Sequence, residues 1–325
     1  MIKKILITGN AGFIGYHLSS KLLDMGLDLM GLDNLNDYYE VSLKKARLSL
    51  LKKKSKETRE SSYLFKEVDL QNKSKLFEII EEFKPDAICH LAAQAGVRFS
   101  LLNPQSYVDN NITVTLNLLE ASRNYGVKEF IFASTSSVYG LNSRVPFSEE
   151  DPTDTTISPY SASKKACEIL CHTYHHLYGI NFRILRFFTV YGPWGRPDMA
   201  LFNFTRKILN GKPIEVYNHG NMKRDFTYVE DIVDGFISAI NAPLDFEIIN
   251  LGRGFPVKLL DFINILEQKL GIEANKVMLD LQPGDVPETS ADISKAKKYL
   301  NYNPKIDLNE GIGKFVKWYE DYFKI

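Results

Sequence analysis

The chain lacks a net charge: 40 Lys and Arg balance 40 Asp and Glu over 325 residues. Without a basic field there is little to draw nucleic acid or an anionic membrane surface, and neither partner is expected. Cysteine is scarce. Cys89, Cys167 and Cys171 are three in all, an odd number at spacings that make neither a disulfide framework nor a metal site. Cys167 and Cys171 stand four apart on an expected helix and read as packing rather than zinc ligands. No stretch approaches the roughly 20 apolar residues of a membrane span. The opening "MIKKILITGN" does not have the pattern of a signal peptide. These absences together point to a cytoplasmic location. No internal repeat and no low-complexity tract is present. The 44% hydrophobic and 25% charged residues are those of a globular chain with a sizeable core. Its length suits one large domain or two ordinary ones.

The first half alternates strand and helix signals. "KILITG", "LDLMGLDN", "YLFKEVDL", "PDAICHLAA", "VKEFIFASTSSVYG" and "INFRILRFFTVYG" read as six strands. Amphipathic segments between them read as helices, among them "FIGYHLSSKLLDMG" and the long "SPYSASKKACEILCHTYHHLYG". Near-continuous apolar strands alternating with helices mean a parallel sheet covered on both faces. Right-handed crossovers then give an α/β, doubly wound parallel Rossmann sheet. After about Thr189 prolines and glycines break the pattern, and a smaller mixed α/β lobe is expected. The division is residues 1–188 for the Rossmann domain, with a return of 228–252, and mainly 189–325 for the smaller lobe. The segment Lys44–Arg59 holds eight Lys or Arg against one Glu. It reads as a solvated helix and loop inserted after the second strand, with polyanion binding as the minority alternative.

"TGNAGFIG" sets Gly9, Gly12 and Gly15 between the first strand and a helix. The spacing differs from the common G-x-G-x-x-G pattern, but the physical need is the same. A tight turn lets a pyrophosphate approach the backbone, and the helix N-terminus offers free N–H groups. Asp33 ends the second strand, where a carboxylate accepts hydrogen bonds from ribose hydroxyls and repels a 2′-phosphate. NAD is therefore favoured over NADP. Asn34 follows, where an arginine would argue for NADP. Asp69, at the end of the third strand, is a candidate for the adenine amino group.

Tyr160 and Lys164 are four apart and share a helix face. A phenol is a poor base at neutral pH. A neighbouring ammonium favours the phenolate, so the pair is expected to form a tuned general acid/base. One strand–helix unit earlier, "FASTSSVYG" puts Thr135, Ser136 and Ser137 at a strand end that faces the ligand crevice. Hydroxyls both donate and accept, which suits a hydroxyl that becomes a carbonyl.

The glycine turn, the "DN" at Asp33, "HLAAQAGVR", "FASTSSVYG" and "YSASK" together resemble the extended short-chain dehydrogenase/reductase superfamily over essentially the whole chain. Within it, "DNLNDYYEVSLKKARL", "RFFTVYGPWGRPDMA", "YNHGNMKRDFTYVEDIV" and "QPGDVPETSADISKA" are similar to the UDP-glucuronate 4-epimerases. That resemblance implies NAD as a retained cofactor, a UDP-sugar substrate and a homodimer built on the Asn111 and Tyr160 helices. It makes Tyr160 the acid/base, Lys164 the partner of the nicotinamide ribose and Thr135 the third catalytic member. It places Gly9, Gly12, Phe13, Ile14 and Gly15 at the cofactor. Asp33, Asn34, Asp69, Leu70, Leu91, Ala92 and Ala93 join them. For the substrate it implies Arg224 at the diphosphate, with Gln282 and Asp285 at the uridine ribose. Ser136, Ser137, Thr189 and Arg196 go to the sugar and its carboxylate, and Arg98, Ala200 and Tyr217 complete the set.

Relatives with other chemistry narrow the expectation. At this strand end the sugar 4,6-dehydratases carry Thr-Asp-Glu and the UDP-glucuronate decarboxylases Thr-Ser-Glu. Here the acidic positions are hydroxyls. A 4-epimerase of UDP-N-acetylhexosamine or UDP-N-acetylhexuronate is the nearer rival, because Thr289, after the "GD" motif, is small. A non-catalytic NAD sensor would need none of Tyr160, Lys164 and Thr135.

Overall fold

A computed structural model describes residues 2–58, 61–142 and 144–325. Arg59, the last residue of the basic segment, lies outside the described residues.

Seven strands form one parallel sheet. They are β1 (Lys4–Thr8), β2 (Asp28–Asp33), β3 (Tyr63–Glu67), β4 (Ala87–His90), β5 (Glu129–Thr135), β6 (Asn181–Phe187) and β10 (Phe246–Leu251), in the order β10-β6-β5-β4-β1-β2-β3. Every pairing among them is parallel. The chain runs outward one way from β1 and the other way from β4, so the switch point lies between those two strands. In open α/β sheets the crevice beyond the strand ends at such a point takes the ligand.

Helices cover both faces because the central strands β1, β4, β5 and β6 bury consecutive side chains on both sides, whereas the edge strand β3 buries none fully. One apolar cluster includes Ile5, Ile7, Leu18, Leu22 and Phe236, joining the sheet to α1 (Phe13–Asp24) and α9 (Val229–Asn241). The other includes Leu6, Ile80, Leu118, Cys167 and Cys171, under α3 (Lys73–Phe83), α6 (Val114–Tyr125) and α7 (Pro159–Tyr178). Both cysteines of α7 are fully buried, as packing requires. A third cluster belongs to the smaller lobe, with Phe202, Phe226, Phe262 and Phe315 among its members. That lobe holds a three-stranded sheet, β11-β9-β7, and a two-stranded one, β12-β8. Its strands are β7 (Thr189–Tyr191), β8 (Ile214–Tyr217), β9 (Lys223–Tyr228), β11 (Pro256–Lys258) and β12 (Lys276–Leu279). Among the described residues no helix is long and apolar enough to cross a membrane.

Three expectations need correction. "INFRILRFFTVYG" is not one strand: β6 ends at Phe187, and Thr189–Tyr191 leaves to pair with β9. The break comes where the Phe188 amide bonds the Leu251 carbonyl at 3.1 Å. The fifth strand stops at Thr135, and Ser136–Tyr139 forms a 3-10 turn. The Lys44–Arg59 segment is not simply solvated. It lies mostly in α2 (Val41–Glu57), which buries Lys44 and Arg47 with Leu43, Leu48 and Leu51.

Candidate active site

The glycine turn fits a dinucleotide. Gly9 has φ +69°, and a Cβ there would stand 2.7 Å from the Ala92 amide nitrogen. A Cβ on Gly15 would overlap the Gly9 carbonyl oxygen. The turn is thus packed against the end of β4 on one side and the start of α1 on the other, with room only for backbone. Asp33 closes it from β2. Its carboxylate accepts from the Ala11 amide at 3.1 Å and the Leu35 amide at 2.9 Å. Burial raises its pKa above the ordinary range, and those two amides and the Lys44 ammonium oppose the rise.

A cavity of about 850 Å³ runs from this turn, across the strand ends, into the smaller lobe. Phe13, Ile14, Asn34, Asp69 and Leu70 line its cofactor end, with Leu91, Ala92 and Ala93 from the end of β4. Asp69 stands in the loop after β3, exposed, and caps the Gln71 amide at 2.9 Å.

Thr135, Ser136, Ser137, Tyr160 and Lys164 meet in the middle of the cavity. Local sequence explains how Tyr160 comes to open α7. Ser158 accepts from the Ser161 amide at 3.1 Å, the Ser161 hydroxyl accepts from the Ser158 amide at 3.2 Å, and Pro159 takes the first helical position. The helix therefore begins one residue before the phenol. Thr135 Oγ1 accepts from the Ser137 amide at 3.1 Å, which fixes the turn of hydroxyls opposite.

Lys164 is buried and donates to the Ala133 carbonyl at 2.8 Å, its ammonium 4.7 Å from the centre of the Phe132 ring. Burial pushes its pKa down to about 8. The phenol of Tyr160 departs from the sequence expectation of a lowered pKa. Burial raises it, and the Thr135 hydroxyl and the Arg196 guanidinium, rather than Lys164, oppose the rise.

At the far end lie the groups suited to an anionic, nucleotide-bearing ligand. Arg98 pairs with Asp285 at 3.0 Å and lies 4.0 Å from the centre of the Tyr217 ring. Arg224 donates to the Lys223 carbonyl at 2.9 Å and the Pro287 carbonyl at 3.2 Å. Nearer the centre, where its charge acts on Tyr160, Arg196 donates to both oxygens of Asp198, at 3.0 and 2.5 Å. Thr189 and Ala200 line the wall nearby, and the small Thr289 is buried against it. Gln282 is the one predicted residue that the cavity wall does not include.

Sequence reasoning missed Tyr38, Lys44 and Asp198, all on the cavity wall. Tyr38 and Lys44 come from "DNLNDYYEVSLKKARL", a stretch whose matching motif was the available signal. Tyr38 donates to Asp198 at 3.3 Å, and Lys44 donates to the Asn36 carbonyl at 2.6 Å.

Residues 5–252 match the model of the NAD dependent epimerase/dehydratase family. The chain belongs to that family. A UDP-glucuronate 4-epimerase of Thermodesulfobacterium geofontis is 48% identical over 314 residues, covering 96% of this chain and 95% of that protein. A crystal structure of UDP-glucuronic acid 4-epimerase from Bacillus cereus, in complex with UDP-glucuronic acid and NAD, superposes with TM-score 0.90 at 36% identity. It covers 98% of this chain and 99% of that one. A UDP-N-acetylglucosamine 4-epimerase from Methanobrevibacter ruminantium gives TM-score 0.86 at 29% identity, over 99% of both chains. The family's dinucleotide is the one that the glycine turn and Asp33 fit.

Proposed function

We propose that this protein is an NAD-dependent 4-epimerase that interconverts UDP-glucuronate and UDP-galacturonate. The observation that carries the reading is the trio Thr135, Ser136 and Ser137 facing Tyr160 and Arg196 in one cavity. Hydroxyls and a guanidinium suit a sugar carboxylate, and no acid stands at this strand end to drive dehydration. The most similar relatives described above support the same substrate.

Bound NAD supplies reversible hydride acceptance at the sugar C4. Tyr160 takes the proton of the 4-hydroxyl and later returns it, while Thr135 orients that oxygen. Lys164 holds the nicotinamide ribose. Ser136, Ser137, Thr189 and Arg196 hold the carboxylate. That grip matters because a 4-keto uronic acid is a β-keto acid and loses CO₂ when the carboxylate aligns with the carbonyl π system. Arg98, Tyr217, Arg224 and Asp285 hold the UDP portion. The large lobe, residues 1–188 with 228–252, carries the cofactor, and the remainder of 189–325 carries the nucleotide sugar. The protomer pairs with a second copy through α6 and α7, where Leu116 and Ile169 are exposed apolar residues.

A second reading, a 4-epimerase of a UDP-N-acetyl sugar, is favoured by one observation. Thr289, small and buried, leaves wall space that a bulky residue would fill. The test is incubation with UDP-glucuronate and no added cofactor, followed by sugar NMR. UDP-galacturonate is expected. UDP-pentose with CO₂ as the main product would make it a decarboxylase, and faster turnover of UDP-N-acetylglucosamine would favour the second reading.

A further inference from the structure

Arg47 of α2 is fully buried, yet its hydrogen bonds go to no carboxylate. Nη1 donates to the Ala11 carbonyl and the Tyr39 hydroxyl, each at 2.8 Å. Nη2 donates to the carbonyls of Trp194 at 2.7 Å and Gly195 at 3.3 Å. Nε is buried without a partner. A desolvated guanidinium held only by neutral acceptors is costly. A core position that needed only filling would be better served by an apolar side chain.

The acceptors belong to two segments of different purpose. Ala11 lies inside the glycine turn. Trp194 and Gly195 directly precede Arg196, the guanidinium assigned to the sugar carboxylate. From α1, His17 Nε2 donates to the Pro193 carbonyl at 2.9 Å. Three successive carbonyls, of residues 193, 194 and 195, are thus gripped by side chains from α1 and α2. The loop needs that grip. Trp194 has φ +60°, a conformation that a bulky non-glycine residue keeps only where its surroundings impose it.

We propose that Arg47 is a positioning residue for recognition of the sugar carboxylate: it ties the glycine turn to the Trp194 and Gly195 carbonyls and so fixes where Arg196 stands. The inference rests on the reading of the substrate as a UDP-uronate. It goes beyond packing, because a strut that only stabilised the fold would affect every ligand alike. It also links the two sites. A cofactor that settles the glycine turn settles the carboxylate loop, and the coupling works in both directions.

Arg47→Lys and His17→Leu test it. Each variant is checked for folding by circular dichroism and for bound dinucleotide after purification. Calorimetry then measures UDP, UDP-glucose and UDP-glucuronate. Affinities for UDP and UDP-glucose should stay within about twofold, while UDP-glucuronate weakens by about tenfold, more in Arg47→Lys than in His17→Leu. The fraction of UDP-pentose among the products should rise, since a loosely held carboxylate is freer to leave. A folded Arg47→Lys in which all three ligands weaken together, or in which the uronate keeps its advantage, overturns the inference and leaves the proposed reaction standing. A wild-type protein with no preference for UDP-glucuronate over UDP-glucose overturns the substrate reading, and this inference with it.

Discussion

At the scale of single residues the site turns on two protonation states. The proposed acid/base is Tyr160, which lines the cavity beside Thr135. Tyr160→Phe should lower kcat by about 10²–10⁴ while leaving UDP-glucuronate affinity near wild type, as calorimetry can check. Retained turnover would move the acid/base role elsewhere. Lys164 gives a prediction in pH. Burial lowers its pKa from 10.5 to about 8, so the ammonium is charged below that pH and neutral above it. kcat/KM should fall as pH rises through about 8, because the neutral amine is a weaker donor to the nicotinamide ribose that Lys164 is proposed to hold. Stability should move the opposite way. Below about 8 both folded and unfolded lysine are protonated, and the burial penalty is present in full. Between about 8 and 10.5 the unfolded chain binds more protons, so the penalty is relieved as pH rises. Lys164→Met should therefore be more stable than wild type at pH 7, and the difference in Tm should narrow above about 8. An alkaline limb confined to pH values near 10.5 would show an ammonium that burial does not perturb.

At the scale of elements, α7 has to hold its phenol against two strands. One turn beyond Lys164, Glu168 does this from within the core. It accepts from Ser134 of β5 at 2.6 Å and from Arg186 of β6 at 3.0 and 2.8 Å, with side-chain exposures of 1% and 2% for the ion pair. Glu168→Ala strands a buried guanidinium and should cost about 3–5 kcal/mol in chemical denaturation. Glu168→Leu combined with Arg186→Met removes both charges and should recover much of that loss. A single substitution that costs under about 1 kcal/mol would mean water already compensates the pair. The same elements show what sequence conveys. Glycines at fixed spacing and a Tyr–Lys pair one turn apart are local patterns, so α1, α7 and the centre of the cavity were legible. The break between β6 and β7 was not, because Phe187, Phe188 and Val190 continue the apolar run. What bends the chain is the Phe188 bond to Leu251 and the pairing with β9, both distant in sequence. Arg47 was illegible for a related reason. A charge run looks solvated until the fold shows which of its members turn inward.

At the scale of the whole molecule, one cavity is walled by both lobes. Gly9, Asp33 and Tyr160 come from one, and Tyr217, Arg224 and Asp285 from the other. Arg98 follows β4 in the large lobe yet pairs with Asp285 of the small one, so the nucleotide end is already bridged. Arg224 has its positive charge less well matched. Its hydrogen bonds go to two carbonyls, and burial lowers its pKa, with Asp285 opposing that fall and Arg98 adding to it. In the proposed reading a diphosphate binds here and supplies the missing anion, between elements of both lobes. UDP should then stabilise the folded protein, by about 2.7 kcal/mol at a hundred times its Kd. Arg224→Leu removes one charge-assisted contact, worth about 1.5–3 kcal/mol, so UDP should bind about 10- to 100-fold more weakly. The variant without ligand should be no less stable than wild type, because the guanidinium it loses was half-buried without a directly bonded anion. Thermal unfolding with and without UDP reads both quantities at once. If Arg224→Leu keeps the full UDP-induced rise in Tm, the diphosphate sits elsewhere and the assignment of the small lobe to the nucleotide fails.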